Sequence, residues 1–251
     1  MRQPAIYLPH GAGPCFFMDW TMGPPDTFDP MEAWLRGLPA SLPDVPKAIL
    51  CVSAHWEASR FALSVGAGPL LYDYGGFPPH TYELQWDAPP ATELASRLSG
   101  MLGAPLVQRG FDHGVFIPLK VAWDVPTIPV VQLSLRQDLD AAVHLELAKR
   151  LEPLRDEGVL ILGSGMSFHS IPAFFGRQDA REPSKRFNQW LVDVCAEDPA
   201  GLADWASAPH ARLCHPREEH LLPLMACASG PATVDFRGTV MGAEVLALRF
   251  S

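Results

Sequence analysis

The sequence predicts an α/β fold: a single domain over residues 1–251, with a central, mostly parallel sheet covered by helices. Three observations support this prediction. Apolar, β-rich runs bounded by glycine or proline alternate with amphipathic helical patterns. Several of these runs are apolar almost throughout, which is typical of strands buried on both faces. No linker, charge run or internal repeat divides the chain.

The runs that predict strands are PAIYLP at 4–9, KAILCVSA at 47–54, FALSVG at 61–66, IPVVQLSL at 128–135, GVLILGSG at 158–165 and EVLALRF at 244–250. The helical patterns are ATELASRLSGML at 91–102, LDAAVHLELAKRLEPLRDEG at 139–158 and SKRFNQWLVDVCAED at 184–198. The second helix is expected to begin near Asp138 and Asp140 and to stop at Gly158. Long connections at 10–30, 67–90 and 205–217 offer loops on which a site can be built.

Composition and charge narrow the function classes. The chain has 19 Lys+Arg against 28 Asp+Glu, a formal net charge of −9. Nucleic acids and anionic membranes bind basic patches, so this balance argues against both as partners. Five cysteines without a CxxC pair predict no disulfide framework. We expect a cytoplasmic protein, because the N-terminus is too short and polar for a signal peptide and no apolar stretch could cross a membrane.

Three histidines follow strand-like runs directly: His10, His55 and His169. Ligands of open α/β sheets bind outside the carboxyl ends of the strands, so a site is expected there. His113 lies in a glycine-flanked turn, and His220 heads the apolar run LLPLMACA. Several imidazoles with carboxylates nearby suit iron, zinc or another borderline divalent metal. The sequence therefore predicts a metal site at the carboxyl ends of the strands.

The remaining motifs carry simpler interpretations. His80, His144 and His210 are expected to be ordinary histidines, with His144 on a solvated helix face. The segment CHPREEHLLPLMACA at 214–228 predicts a helix whose first turn contains Pro216 and acidic residues. GSGMS does not match the GxSxG nucleophile elbow, and the segment around His220 does not match HExxH.

Seven segments together carry a family resemblance: LPHGAGP, VSAHWE, DYGGFPPHTYELQWDAPP, RGFDHGVFIPLK, IPVVQLSL, LGSGMSFHS and HPREEHLLPL. In this order they resemble the class III extradiol ring-cleaving dioxygenases, in the branch that includes DOPA 4,5-dioxygenase. The resemblance implies a non-heme metal-dependent oxidoreductase that inserts O2 into a DOPA-like or other small catechol and opens the ring. It also implies Fe(II) as the working metal, with Zn(II) able to occupy the site. We expect the protein to be a monomer or homodimer.

The resemblance further assigns roles to five histidines. It implies that His10, His55 and His220 ligate the metal, that His169 is the acid–base residue and that His113 assists from its loop. In some zinc-containing relatives, the residue matching His169 lies near or on the metal.

The same resemblance implies that the stretch from Tyr74 to Pro78, which includes Phe77, lines the substrate pocket. Trp56 and Asp112 are further pocket candidates, because Trp56 could wall a dry pocket and Asp112 adjoins an imidazole. Cys15 is expected at the pocket wall. Glu219 adjoins His220 and stays open as an alternative ligand.

Two other functions fit the same residues. The metal could activate water in a zinc-dependent hydrolase. Alternatively, the chain could be a non-enzymatic binding protein resembling the Memo-like proteins, which share this fold. The five histidines favour the dioxygenase, because a binding protein has no physical need for them.

Overall fold

The computed structural model describes residues 1–251 and contains one seven-stranded sheet. The strands are β1 (Ala5–Pro9), β2 (Ala48–Ala58), β3 (Leu63–Ser64), β4 (Val130–Arg136), β5 (Val159–Gly165), β6 (Ala232–Val240) and β7 (Ala243–Phe250). Their order in the sheet is β3–β4–β2–β5–β1–β7–β6. The central strands β4, β2, β5 and β1 pair in parallel, and the other three join antiparallel at the edges. The predicted mostly parallel sheet is confirmed.

Helices connect the strands and cover the sheet. The α-helices are α1 (Asp29–Gly37), α2 (Thr92–Leu102), α3 (His113–Ala122), α4 (Ala141–Leu151), α5 (Pro153–Asp156), α6 (Ile171–Phe174), α7 (Arg181–Glu197), α8 (Ala211–Cys214) and α9 (Leu222–Cys227). Short 3₁₀ helices cover Cys15–Phe17, Pro39–Ser41, Pro79–Tyr82 and Pro199–Ser207. The three predicted helical patterns correspond to α2, to α4 with α5, and to α7. None of the helices is long and apolar enough to span a membrane.

Apolar side chains are buried on both faces of the sheet, as the near-continuous apolar runs predict. Alternate residues of one strand point to opposite faces. Tyr7 and Leu50 belong to a cluster of 51 buried residues, whereas Ile6 and Cys51 belong to a second cluster of 15. Helix α3 packs into the smaller cluster, and α7 and α9 pack into the larger one. The two clusters hold the central strands rigidly beneath the site.

Two local predictions are wrong. His144 is buried, not solvated, because its Nδ1 donates to the Asp140 carbonyl at 2.7 Å and its Nε2 accepts from the Arg136 backbone N–H at 3.2 Å. The helix expected to begin near Pro216 begins only at Leu222, so the preceding acidic residues lie in a turn and not in a first helical turn.

Two glycines of β5 let α9 approach the sheet closely. A Cβ at Gly163 would collide with the Pro223 carbonyl, and a Cβ at Gly165 would collide with the His220 carbonyl. The His220 carbonyl accepts hydrogen bonds from the Met166 backbone N–H at 3.1 Å and from the Tyr7 hydroxyl at 2.8 Å. These contacts fix His220 beside the carboxyl end of β5.

Candidate active site

Three neighbouring parallel strands supply histidines to one edge of the sheet. His10 follows β1 directly, His55 lies near the carboxyl end of β2, and His169 lies in the segment after β5. Because β2, β5 and β1 are adjacent and parallel, their carboxyl ends meet at this edge. The pairing of β2 with β4 shifts register between Val52 and Glu57, as at a bulge, where the strand carries His55.

All five histidines selected from the sequence line one cavity of about 230 Å³. His113 is the first residue of α3, and His220 lies just before α9. The ring centroids of His10, His55 and His220 are 4.9 to 5.2 Å apart. The His113 ring lies 3.9 Å from His55, and the His169 ring stacks on His220 at 3.4 Å. The cavity therefore concentrates imidazoles from five separate parts of the chain.

At this edge of the sheet, the nitrogen and oxygen atoms that could bind a metal form two groups. One group is His10, His55 and His113, and the other is His169, Glu219 and His220. Within each group, one such atom per residue lies within 4.8 Å of the others.

The hydrogen bonds of His10 determine which of its nitrogens is free. Its Nδ1 lies 3.0 Å from Ser164 Oγ, and that hydroxyl also bonds to the Gly114 carbonyl. A carbonyl only accepts, so the Ser164 hydroxyl donates to Gly114 and accepts from His10 Nδ1–H. Neutral His10 consequently has its lone pair on Nε2, which lies 3.1 Å from His55 Nε2.

Asp73 contacts two further histidines of the site through its carboxylate. No pattern in the sequence predicts this role for Asp73. Its Oδ1 accepts hydrogen bonds from the backbone N–H of His113 at 3.0 Å and from His113 Nδ1 at 2.7 Å. Its Oδ2 lies 3.5 Å from His55 Nδ1. Burial acts to raise the pKa of Asp73, but the hydrogen bonds from His113 outweigh it and hold the pKa at about 2. The charged carboxylate keeps both Nδ1 atoms turned toward it.

Glu219 plays the corresponding part for the other two rings. Its Oε1 lies 2.8 Å from His220 Nδ1 and 3.4 Å from His169 Nδ1. A carboxylate that accepts from the Nδ1 of a histidine leaves the Nε2 of that ring free for a metal. This geometry favours Glu219 as the support of His220 over Glu219 as a metal ligand.

The donor set fits a divalent metal. Burial lowers the pKa of His10 and His220 well below the usual value and that of His55 to about 3, so these rings are neutral near pH 7. Two nitrogen ligands at about 2.1 Å from one metal lie roughly 3.0–3.4 Å apart. The Nε2 atoms of His10 and His55 have this separation.

Asp112 and Trp56, both pocket candidates from the sequence, do not line the cavity. Asp112 is fully buried, and its carboxylate accepts from Ser53 Oγ at 2.7 Å, from Arg109 at 3.0 Å and from the Gln132 amide. Burial raises its pKa despite the nearby Arg109. Trp56 lies under the Arg109 guanidinium at 4.8 Å, because successive strand residues point to opposite sides and His55 occupies the cavity side.

Apolar side chains form most of the cavity wall. Phe77 lines it, whereas Tyr74 lies behind and packs edge-on against Phe77 and His113 at 5.6 Å. Cys15 also lies outside the lining, and its Sγ accepts from the Ala12 backbone N–H at 3.4 Å. No pattern in the sequence predicts the other large apolar wall residues, which are Trp20, Met22, Met166, Ile171, Phe174, Phe175, Val240 and Met241.

Comparison with known protein families shows which family contains this chain. The family described as the catalytic LigB subunit of aromatic ring-opening dioxygenase matches residues 4–243. The chain belongs to this family. It is therefore a ring-cleaving dioxygenase of the extradiol type, in a metal-dependent family that acts on aromatic compounds with O2.

Individual LigB-family relatives agree with this assignment. The dioxygenase tasH of Hapsidospora irregularis is 36% identical over 253 residues, which cover 90% of this chain and 77% of that protein. The 4,5-DOPA dioxygenase extradiol of Escherichia coli (strain K12) is 30% identical over 259 residues, covering 96% and 92%. A crystal structure of an uncharacterized Escherichia coli K12 protein matches the whole of both chains with a TM-score of 0.78 and 28% identity.

Asp73 is expected to strengthen metal binding by this LigB-family site. We expect Asp73→Asn to lower the metal affinity by about 10–100-fold. Asparagine has the same size as aspartate but no negative charge, so it attracts the Nδ1–H groups of His55 and His113 less strongly. Metal affinity is measured by competition with a chromophoric chelator.

Asp124→Asn serves as the matched control, since Asp124 is exposed and pairs only with Lys120. Unchanged metal affinity in a folded Asp73→Asn protein would show that the carboxylate does not support the site.

Proposed function

We propose that the whole chain is one catalytic domain acting as an Fe(II)-dependent extradiol dioxygenase on a small catechol, with His10, His55 and His220 as the metal ligands. One observation carries this proposal: the Nδ1 atoms of these rings face Ser164, Asp73 and Glu219 respectively, so the Nε2 atom of each ring is free to bind a metal, and the ring centroids lie 4.9 to 5.2 Å apart. Bound Fe(II) would supply a redox-active centre with open positions for substrate and O2.

His169 is the acid–base residue in this proposal. Its ring lies parallel to that of His220, with 15° between the planes, and its Nδ1 faces Glu219. The ring also lines the cavity, where its Nε2 can accept a proton from a catechol hydroxyl and later return it. An imidazole suits both steps because one ring nitrogen can take up and release a proton while the other stays hydrogen-bonded to a carboxylate.

His113 assists from the other side of the cavity. Asp73 holds its Nδ1 at 2.7 Å, so its Nε2 is the atom available to a substrate hydroxyl. Tyr74 packs against this ring and helps to keep it in place. The hydrogen bond would orient the catechol and stabilise charge that develops on its oxygen.

Phe77 and Phe174 belong to the apolar wall that surrounds the substrate ring. Such walls exclude water and strengthen the polar interactions inside the cavity. They also accommodate the flat face of an aromatic ring.

Oxygen uptake by reconstituted protein tests the proposal. Metal-stripped protein is loaded anaerobically with Fe(II) or Zn(II) and mixed with a panel of catechols that includes DOPA. We expect oxygen consumption and a yellow ring-opened product with Fe(II) only. Ester or amide hydrolysis by the Zn(II) protein without oxygen uptake would support the hydrolase instead. A metal-loaded protein that cleaves no catechol and hydrolyses nothing would support the binding protein.

A further inference from the structure

The cavity contains no side chain that could pair with a charged substituent. Its 17 lining residues include no aspartate, glutamate, lysine or arginine, and also no asparagine, glutamine, serine, threonine or tyrosine. The five histidines supply nearly all of its polar side-chain atoms. Trp20 also lines the cavity, but its indole N–H is buried and has no hydrogen-bond partner.

The histidines are already committed to other contacts. The Nδ1 atoms of all five face Ser164, Asp73 or Glu219. The Nε2 atoms are those assigned to the metal and to the catechol hydroxyls. No imidazole nitrogen is left to neutralise a carboxylate or to accept from an ammonium group on the rest of the substrate.

The mouth of this cavity beside Met22 is apolar as well, whereas Glu57, Arg217 and Glu219 line a separate pocket that shares His55 and His220 with it. Met22, Ile171 and Phe175 line the cavity while remaining 45%, 52% and 59% exposed, so they form a rim open to solvent. A substituent that leaves the catechol ring in this direction meets a methionine, an isoleucine and a phenylalanine. At about 230 Å³, the cavity is also smaller than the roughly 300–1,000 Å³ typical of sites for drug-sized ligands.

From this lining we propose that the substrate is a single-ring catechol whose substituent is short, uncharged and apolar. The substituent is therefore not a zwitterionic amino-acid group such as that of DOPA. The inference rests on the proposed function, since it assumes that the two catechol oxygens are held at the histidines. A zwitterionic substituent would lose its hydration to walls that offer no counter-charge, which disfavours its binding.

Four catechols with similar short chains test this selectivity. They are 4-propylcatechol (neutral), 3-(3,4-dihydroxyphenyl)propionate (anionic), dopamine (cationic) and DOPA (zwitterionic). With the Fe(II)-loaded enzyme, we expect kcat/KM for 4-propylcatechol to exceed that for each charged compound by about 100-fold.

The outcomes separate this inference from the proposed function. Cleavage of no catechol would overturn the proposed function itself. Cleavage of DOPA or another charged catechol as efficiently as 4-propylcatechol would leave the function standing and overturn the inference.

A charge placed at the rim provides a second test. We expect Met22→Arg to raise kcat/KM for the anionic propionate by about 10-fold relative to 4-propylcatechol, because the guanidinium supplies the missing counter-charge. Met101→Arg is the matched control, since Met101 is similarly exposed at 37% but lies on α2 and does not line the cavity. Phe175→Arg repeats the test if Met22→Arg does not fold. The inference would be contradicted if the ratio of kcat/KM for the propionate to kcat/KM for 4-propylcatechol stayed unchanged in the folded Met22→Arg or Phe175→Arg protein. It would also be contradicted if Met101→Arg changed this ratio equally.

Discussion

His10→Ala is expected to lose stoichiometric metal binding and, with it, ring cleavage. His10 is buried directly after β1, and its neutral ring has its lone pair on Nε2, 3.1 Å from His55 Nε2. In the proposed site, alanine leaves only the His55 and His220 rings to bind the metal. We expect metal affinity to fall by more than the roughly 100-fold that loss of a supporting residue causes. Metal content after gel filtration and oxygen uptake with a catechol measure the two losses.

The control for this experiment is a histidine outside the site. His210 lies before α8 with a φ of 59°, a conformation that asparagine tolerates, so His210→Asn should keep both metal and activity. A folded His10→Ala protein that retains a full equivalent of iron would show that His10 is not a ligand. Circular dichroism of both variants distinguishes metal loss from unfolding.

His169→Gln should separate catalysis from metal binding. We expect the variant to keep its iron while kcat falls by about 10²–10⁴-fold, because glutamine cannot take up and return a proton. We expect the metal to remain because the three proposed ligand rings and their Ser164, Asp73 and Glu219 partners are unchanged. Iron content, anaerobic catechol binding followed by absorbance, and steady-state kcat measure the three quantities.

Two other outcomes of this experiment would contradict the role proposed for His169. A folded His169→Gln protein that loses iron as completely as His10→Ala would make His169 a metal ligand. Full activity with full iron content would exclude His169 from proton transfer and shift that role to His113, which lines the same cavity.

Local sequence patterns predicted the central elements because their burial is regular. Strands β1, β2, β4 and β5 are covered on both faces, so their residues are apolar almost throughout. Strand β6 was missed because it lies at a sheet edge and exposes many of its residues, which removes the apolar run. Helix α3 was missed because nearly all of it is buried and it contains Pro118, so it shows no amphipathic period.

The five cavity histidines could be found from the chain because each stands beside a strand end, a glycine turn or an apolar run. The residues that hydrogen-bond to these histidines could not be predicted from the chain. Asp73 lies 40 residues before His113, in a loop with no periodic pattern, and only folding brings its carboxylate to the imidazole. Ser164 lies within the apolar strand β5, where nothing in the sequence indicates that it holds His10.

The amino-acid sequence alone determined the fold class and the set of histidines, because strand burial and strand ends leave local signatures. The tertiary structure decided which nitrogen of each ring is free and which side chains form the cavity wall. Those properties depend on contacts between segments far apart in the chain, such as the loop containing Met22, helix α6 and the turn at Met241. Hydrogen bonds and pocket walls require atoms a few ångströms apart, and chain position does not record that distance.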